Sequence, residues 1–379
     1  MISPRERLFA FVEGIHRNRE QLARGGCPLG GLCSELHKEG GALAKKSAAL
    51  FTEPMGWVEE QFRADGHEED AQELSVHLFC AFQGLAAVAH AANDPDLVVM
   101  EVKRLKAALD KRRFGPWALV TRASSGIGKE FARQIAASGI SLVLVAKRDA
   151  LLAELGRAIS QEFDVQYRVL ALDLSQDGFM ASLAEATHDI DIGLVVSNAG
   201  TGNPGEFLTL DRQLLQATLR LNTMAHLEIT HHFGAKLAER HRGGFILVGA
   251  MGAEIGVPFM ANDGGAKAYV HSLGEALHYE FKPQGVYVTV VQTAPTNTPV
   301  LAKFGFDPRT MPMKPMSAEQ CVSEGLNALR ENRCRIVPGR MNRIINALVP
   351  ASVKRKMTAE IFRKMLANKP APANARAQA

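Results

Sequence analysis

From Trp117 onward, short runs of β-branched and aliphatic residues alternate with longer helical stretches, and this alternation limits the fold more than any other feature of the chain. "WALVT", "SLVLVA", "YRVLALD", "IGLVVS", "GFILVG", "VYVTVVQ" and "CRIVP" read as buried parallel strands, because each is short, apolar throughout and bounded by turn residues. Helices are expected between them near 126–138, 149–163, 177–187, 209–235, 262–283 and 317–330. Such an order implies an α/β Rossmann-type doubly wound parallel sheet. Up to about residue 113 no strand pattern occurs. Apolar residues recur there at spacings of three and four in "RLFAFVEGI", "ALAKKSAALF" and "ELSVHLFCAFQGLAAVAHAA", broken at Gly25-Gly26, Gly40-Gly41, Gly66 and "NDPD". An all-α bundle of five or six helices is expected. The chain therefore divides into a helical domain (1–113), the sheet domain (114–340), a basic C-terminal helix (341–366) and a Pro/Ala-rich, disordered tail (367–379).

At 379 residues, 46% hydrophobic and 22% charged, the chain is long enough for two cores. It has no uninterrupted apolar run of about 18 residues. Its first residues do not follow the basic, apolar, small-residue order of a secretory signal, so a cytoplasmic location is expected. Cys27, Cys33, Cys80, Cys321 and Cys334 are scattered without metal-ligand spacing and read as reduced thiols; no metal site is expected. Residues 1–113 hold 15 Lys and Arg against 17 Asp and Glu, which gives no footprint for nucleic acid. Residues 340–364 hold seven basic residues and one acid, Glu360. A solvated helix face explains them; a weak membrane-surface contact beside Ile344, Ile345, Leu348 and Val349 is the alternative.

Residues 121–128, "TRASSGIG", fall after a strand and before a helix, where backbone N–H groups and a helix N-terminus can approach a pyrophosphate. With "ALDL" (171–174), "SNAG" (197–200), Asn222 and Lys267 in order, the region of about 116–340 resembles the short-chain dehydrogenase/reductase family. The resemblance implies that the turn Thr121, Arg122, Ser124, Ser125, Gly126, Ile127 and Gly128 holds a cofactor diphosphate. It further implies that Asp173 and Leu174 border adenine, that Asn198, Ala199 and Gly200 line the cofactor, that Asn222 anchors a proton-relay water, and that Lys267 binds the nicotinamide ribose. At the end of the second strand Lys147 and Arg148 stand where an acid would select NAD, so NADP(H) is expected over NAD(H).

Four positions depart from the family pattern. Arg122 replaces the first glycine of the turn, which puts cofactor affinity in question unless its cation meets phosphate. Ala250 stands where the family serine would polarise a carbonyl, and Asp263 stands where its tyrosine would donate a proton. Beside Lys267, Asp263 is expected to be an ionised carboxylate in an ion pair one helical turn long. Thr293-Ala294 replaces a Pro-Gly pair at the loop bordering nicotinamide. Tyr269, His271 and Tyr279 lie on the same helix without a matching partner, and His231-His232 reads as packing. Met251, Met260, Met311, Met313 and Met316 could line an apolar cleft.

The first 110 residues, with "GGCPLGGLCSEL", "GWVEEQF" and a long apolar helix in order, are similar to the C-terminal ligand-binding and dimerisation domain of TetR-family regulators, without the helix-turn-helix. That likeness implies dimerisation; for the chain as a whole a homodimer or tetramer and a small, apolar substrate or ligand are expected, and the ligand of the helical domain stays open. Three functions remain open on the sequence: a divergent oxidoreductase or repurposed enzyme built on the dinucleotide fold, a non-catalytic dimeric sensor of NADP(H) or ligand, and an active ketone reductase whose proton donor lies elsewhere.

Overall fold

The computed structural model describes residues 4–306 and 314–367. The chain forms two compact units, Met1–Arg112 and Arg113–Ala379. The helical region carries α1 (Pro4–Arg17), α2 (Arg19–Gly25), α3 (Pro28–Glu39), α4 (Gly41–Ser47), α5 (Ala49–Ala64), α6 (Ala71–Ala92) and α7 (Asp96–Phe114). Seven helices thus replace the five or six expected. The added breaks fall at Asn18 and Ala48, where no Gly or Pro marks them; at the first, the Asn18 amide donates to Gly14 O at 2.9 Å and competes with the helix ladder. Leu8, Val12, Val58, Phe62, Leu74 and Leu78 make the apolar centre. Arg5, 1% exposed, donates to Leu109 O at 3.0 Å and to Asp110 Oδ1 at 2.9 Å, so a buried ion pair ties α1 to α7. No apolar run of 18 residues is uninterrupted, but α6 is by length and mean hydropathy long and apolar enough to cross a membrane. Its Leu74, Leu78, Leu85 and Ala86 are buried in the helical core, which accounts for the apolar content without a bilayer.

The second unit is a seven-stranded parallel sheet of order β3-β2-β1-β4-β5-β6-β7, as the alternating pattern requires. Its elements run β1 (Trp117–Thr121), α8 (Gly126–Ala136), β2 (Ser141–Ala146), α9 (Asp149–Phe163), β3 (Tyr167–Ala171), α10 (Phe179–Glu185) and β4 (Ile192–Ser197). They continue with α11 (Arg212–Leu219), α12 (Ala225–Glu239), β5 (Gly243–Ala250), α13 (Ala261–Phe281), β6 (Val286–Thr293), α14 (Pro299–Lys303), α15 (Ala318–Arg330), β7 (Arg335–Ile336), α16 (Arg340–Leu348) and α17 (Ala351–Ala367). Successive strand residues point to opposite faces, so both faces need an apolar cover. Val120, Phe131, Leu144 and Val291 pack on one side, and Leu119, Val145, Phe233 and Val288 on the other. Strand order reverses between β1 and β4, which opens a crevice at their C-terminal ends.

Three expectations change in detail. The single helix expected over 209–235 is α11 and α12 joined by a π-turn, Arg220–Met224, which carries the buried Asn222. The C-terminal helix expected over 341–366 is two helices, because Pro350 has no N–H to continue the ladder and favours extended backbone at Val349 (ψ 124°). Met311, Met313 and the tail beyond Ala367 lie outside the described residues.

Candidate active site

Thr121 closes β1 and is fully buried. Its hydroxyl accepts N–H bonds from Asn198 (2.8 Å) and Ala199 (2.9 Å), and the Asn198 side-chain amide donates to Thr121 O at 3.2 Å. The "SNAG" loop is thereby fixed to the start of the glycine turn. Arg122 adopts φ +52°, the left-handed backbone a glycine would take at no steric penalty. Its half-buried guanidinium is shifted down from its ordinary value by desolvation and then by the Arg148 charge. Gly126 (φ +57°) begins α8, and Ser125 precedes it in extended backbone without capping the helix through its side chain. At Gly128 a Cβ would lie 2.3 Å from Arg122 O, so only glycine fits. Ile127 packs against the core behind the turn.

Arg148 donates to Ser124 Oγ at 3.0 Å, which puts Ser124 and two cations, Arg122 and Arg148, around the turn. Lys147 is directed elsewhere: its ammonium pairs with Asp173 at 2.7 Å. Burial works against ionisation of Asp173, but Lys147 and the Ser175 hydroxyl and amide outweigh it and hold the carboxyl at about 2. Leu174, next in the chain, is buried.

At the other end of the crevice the Asn222 side chain clamps the backbone of one residue, accepting from Thr201 N at 2.9 Å and donating to Thr201 O at 2.8 Å. Lys267 Nζ donates to Val248 O at 2.7 Å. Desolvation, and secondarily Arg122, bring that ammonium down to about 8, against a smaller opposing pull from Asp263. A Cβ on Gly200 would come within 3.1 Å of Lys267 Nζ and 3.3 Å of Asn222 Oδ1, so this glycine keeps the space beside both groups open.

Asp263 overturns the expected ion pair. Among the described residues no salt bridge joins it to Lys267, whose ammonium is turned to the strand carbonyl. Asp263 is 6% exposed; Oδ2 accepts from Asn203 N at 3.3 Å, and Oδ1 is buried without a hydrogen-bond partner. Desolvation therefore raises its carboxyl above the usual range, over the weaker opposing effects of the Asn203 N–H, its own N–H, Lys303 and Lys267. The carboxyl is thus held more weakly ionised than an exposed carboxylate, by burial and not by a cation. It borders a cavity of about 350 Å³ lined chiefly by Phe207, Leu208, Leu210, Phe259, Asn203 and Glu206. Lys303, on the short α14, reaches over the neighbouring loop to Thr201 Oγ1 at 2.7 Å.

His271 is likewise not without partners: its Nε2 accepts from Ala250 N at 3.2 Å, while Nδ1 lies 3.2 Å from Gln292 Nε2 and 3.5 Å from Glu254 Oε2. The main chain at Ala250 is thus held from behind. Thr293 donates to Gly249 O at 2.9 Å and tethers the ends of β5 and β6. Tyr269 and Tyr279 are surface residues, and His232 stacks edge-on to Phe233. No cluster with metal-ligating composition occurs among the described residues. Sequence reading passed over His226, which is fully buried between Ser197 Oγ (2.7 Å) and Ala199 O (3.0 Å) and lowered to about 3 by burial, then by Lys267. Its position four residues after Asn222, on the same helical face, was the available signal. Lys303 and Asn203 had none, since both come from loops or a single turn.

The short chain dehydrogenase family model matches residues 116–307. This chain belongs to that family. It is 30% identical over 234 residues to 7beta-hydroxysteroid dehydrogenase of Clostridium sardiniense, covering 62% of this chain and 89% of that protein. It is 35% identical over 188 residues to very-long-chain 3-oxoacyl-CoA reductase of Meyerozyma guilliermondii, covering 47% of this chain and 55% of the relative. The chain therefore spans about half the length of the reductases of that kind it matches. Among solved structures, a 7beta-hydroxysteroid dehydrogenase aligns with TM-score 0.60 at 25% identity over 67% of this chain and 98% of its own. A short-chain dehydrogenase from Sphingobium yanoikuyae in complex with NADPH aligns with TM-score 0.56 at 26% identity, over 69% and 100%.

Proposed function

We propose that this chain is an oxidoreductase using a nicotinamide nucleotide, NADP(H) in preference to NAD(H), to interconvert an apolar ketone and alcohol, with the Asp263 carboxyl in place of the family's phenol. The observation that carries this reading is the buried, half-unpartnered carboxyl of Asp263 at the edge of an apolar cavity. The residues fit the cofactor: Gly128 lets the turn close tightly on Arg122 O, Gly200 leaves room beside Lys267 and Asn222, and the uncapped α8 N-terminus offers N–H groups to a diphosphate. The turn 121–128 would hold that diphosphate, Arg148, Arg122 and Ser124 a 2′-phosphate, Asp173 and Leu174 the adenine, and Asn198, Ala199, Gly200 and Lys267 the nicotinamide ribose. When bound, the nucleotide supplies or takes up the hydride. The Asp263 carboxyl gives the matching proton to the carbonyl oxygen as the alcohol forms, and is left as a carboxylate. The Asn203 N–H and the Lys303 and Lys267 cations are placed to steady that charge. Water reprotonates it through the cavity mouth.

NADPH oxidation with a panel of bulky apolar ketones tests the reading. Turnover that falls about 10² to 10⁴-fold in Asp263→Asn, with NADPH binding retained, supports it. Turnover indifferent to that change points to another donor. A second reading, a sensor that binds nucleotide without turnover, is favoured by Ala250, which has no hydroxyl and whose N–H is already taken by His271. It predicts NADPH binding with no oxidation by any ketone.

For the helical unit the proposal is a TetR-like ligand-binding and dimerisation domain acting in the cytoplasm. Its support is the apolar side chains that α6 and α7 leave exposed, Val76, Val88, Val99 and Met100, and the mixed small residues between them. Light scattering on the full chain tests it: a dimer or tetramer that falls to monomer in the Val88→Glu, Met100→Glu double variant is expected, and a monomeric parent chain contradicts it.

A further inference from the structure

We propose that the outer face of α16 and α17 docks peripherally on a bilayer surface carrying anionic phospholipid. The inference stands on exposure and charge, apart from any turnover at the cleft. α16 exposes Met341 (62%), Ile344 and Leu348 (76%), spaced by three and four residues on one face; α17 exposes Val353, Met357 (57%) and Ile361 at intervals of four. Their opposite faces are occupied. Asn342 donates to Pro338 O at 2.9 Å, Lys354 reaches back to Asn346 O at 2.9 Å, the Phe362 ring lies 5.6 Å from that of Phe306, and Met365 is buried. Among the described residues the apolar stripes are therefore surplus to the packing of these helices.

Charge selects among the surfaces that could cover them. Arg340 and Lys356 are exposed beside the stripes, Arg355 is exposed further round α17, and the one acid of this segment, Glu360, is engaged by Arg363 (2.8 Å) and Lys364 (3.4 Å). A second copy of the same face would bring like charges together. Nucleic acid would satisfy the cations but leave six large apolar side chains in water. An interface of anionic headgroups over acyl chains satisfies both, with the apolar stripe at the depth of the acyl boundary and the cations at the phosphates. Phe362 and Met365 hold α17 against Phe306 and Gly305, just beyond α14, whose Lys303 reaches Thr201 at the cleft. Docking would bring this lip to the lipid, where apolar compounds partition.

Flotation of the full-length protein with phosphatidylcholine vesicles, with and without phosphatidylglycerol, at low and high sodium chloride, tests the proposal. Binding to the phosphatidylglycerol vesicles, lowered by salt, is expected. The Leu348→Glu, Met357→Glu double variant should lose partitioning about tenfold or more, and Arg355→Gln with Lys356→Gln about tenfold. Both change exposed side chains, so an unaltered thermal melt is expected alongside. No flotation with phosphatidylglycerol, equal flotation with phosphatidylcholine alone, or undiminished flotation of the Glu variant would each overturn it. So would tighter retention by duplex DNA than by vesicles, or a halved mass of the Glu variant in light scattering, which would assign the face to a second copy.

Discussion

A carboxyl and a phenol reach the same protonation state by opposite routes. A tyrosine begins protonated and is tuned down by a neighbouring cation; an aspartate begins ionised and must be tuned up by removal from water. Asp263 is shifted in that second direction, upward, because it is buried, Lys267 is turned to Val248 O and only one carboxyl oxygen has a partner. The residue's own chemistry, read in sequence beside a lysine, pointed to an ion pair; the direction of the lysine side chain reversed it, and no spacing rule encodes that direction. The stability consequence has a definite sign. A carboxyl raised on folding contributes most below its unfolded value and least once pH climbs past its folded value. Asp263→Asn should therefore gain thermal stability over the parent as pH rises from acid to alkaline. His226 has the contrary sign: held at about 3 in the fold against 6.5 ordinarily, it favours the native state above 6.5 and loses that support as pH falls toward 3. Acid titration of stability should show a slope of up to about 1.4 kcal/mol per pH unit from this group, and His226→Gln should flatten it.

At the level of elements, the strands and the glycine turn were legible because their physics is local. Short apolar runs bounded by turn residues can only be buried strands, and Gly128 has to be glycine where a Cβ would meet Arg122 O at 2.3 Å. Gly128→Ala should abolish nucleotide binding in a titration and destabilise the unit by about 1–3 kcal/mol. The π-turn at Asn222 was not legible, since an extra residue in a helix leaves the apolar periodicity nearly intact. Nor were the breaks at Asn18 and Ala48, which carry no Gly or Pro. In the helical unit the element-scale weak point is Arg5, the buried cation joining α1 to Asp110 of α7. Arg5→Ala leaves Asp110 short of a buried partner and should cost about 3–5 kcal/mol in denaturant unfolding.

On the scale of the whole molecule, family membership and architecture followed from motif order, whereas the chemistry depended on which side chains the fold turns toward the crevice. Arg122, Ala250 and Asp263, which the sequence reading set apart from the family pattern, all lie at that crevice, over the two apolar clusters that cover the faces of the sheet. Arg122 takes a left-handed backbone, so the turn keeps there a conformation that glycine adopts most readily. The most direct test of the central claim is the pH dependence of kcat/KM for ketone reduction with NADPH, parent against Asp263→Asn. Reduction by the parent should be fastest on the acid side and decline through an inflection above the ordinary carboxylate range, as Asp263 gives up the proton it must donate. In Asp263→Asn the residual rate should lack that inflection. A parent profile flat through that region, or the same inflection persisting in the variant, would contradict the assignment of Asp263 as the proton donor.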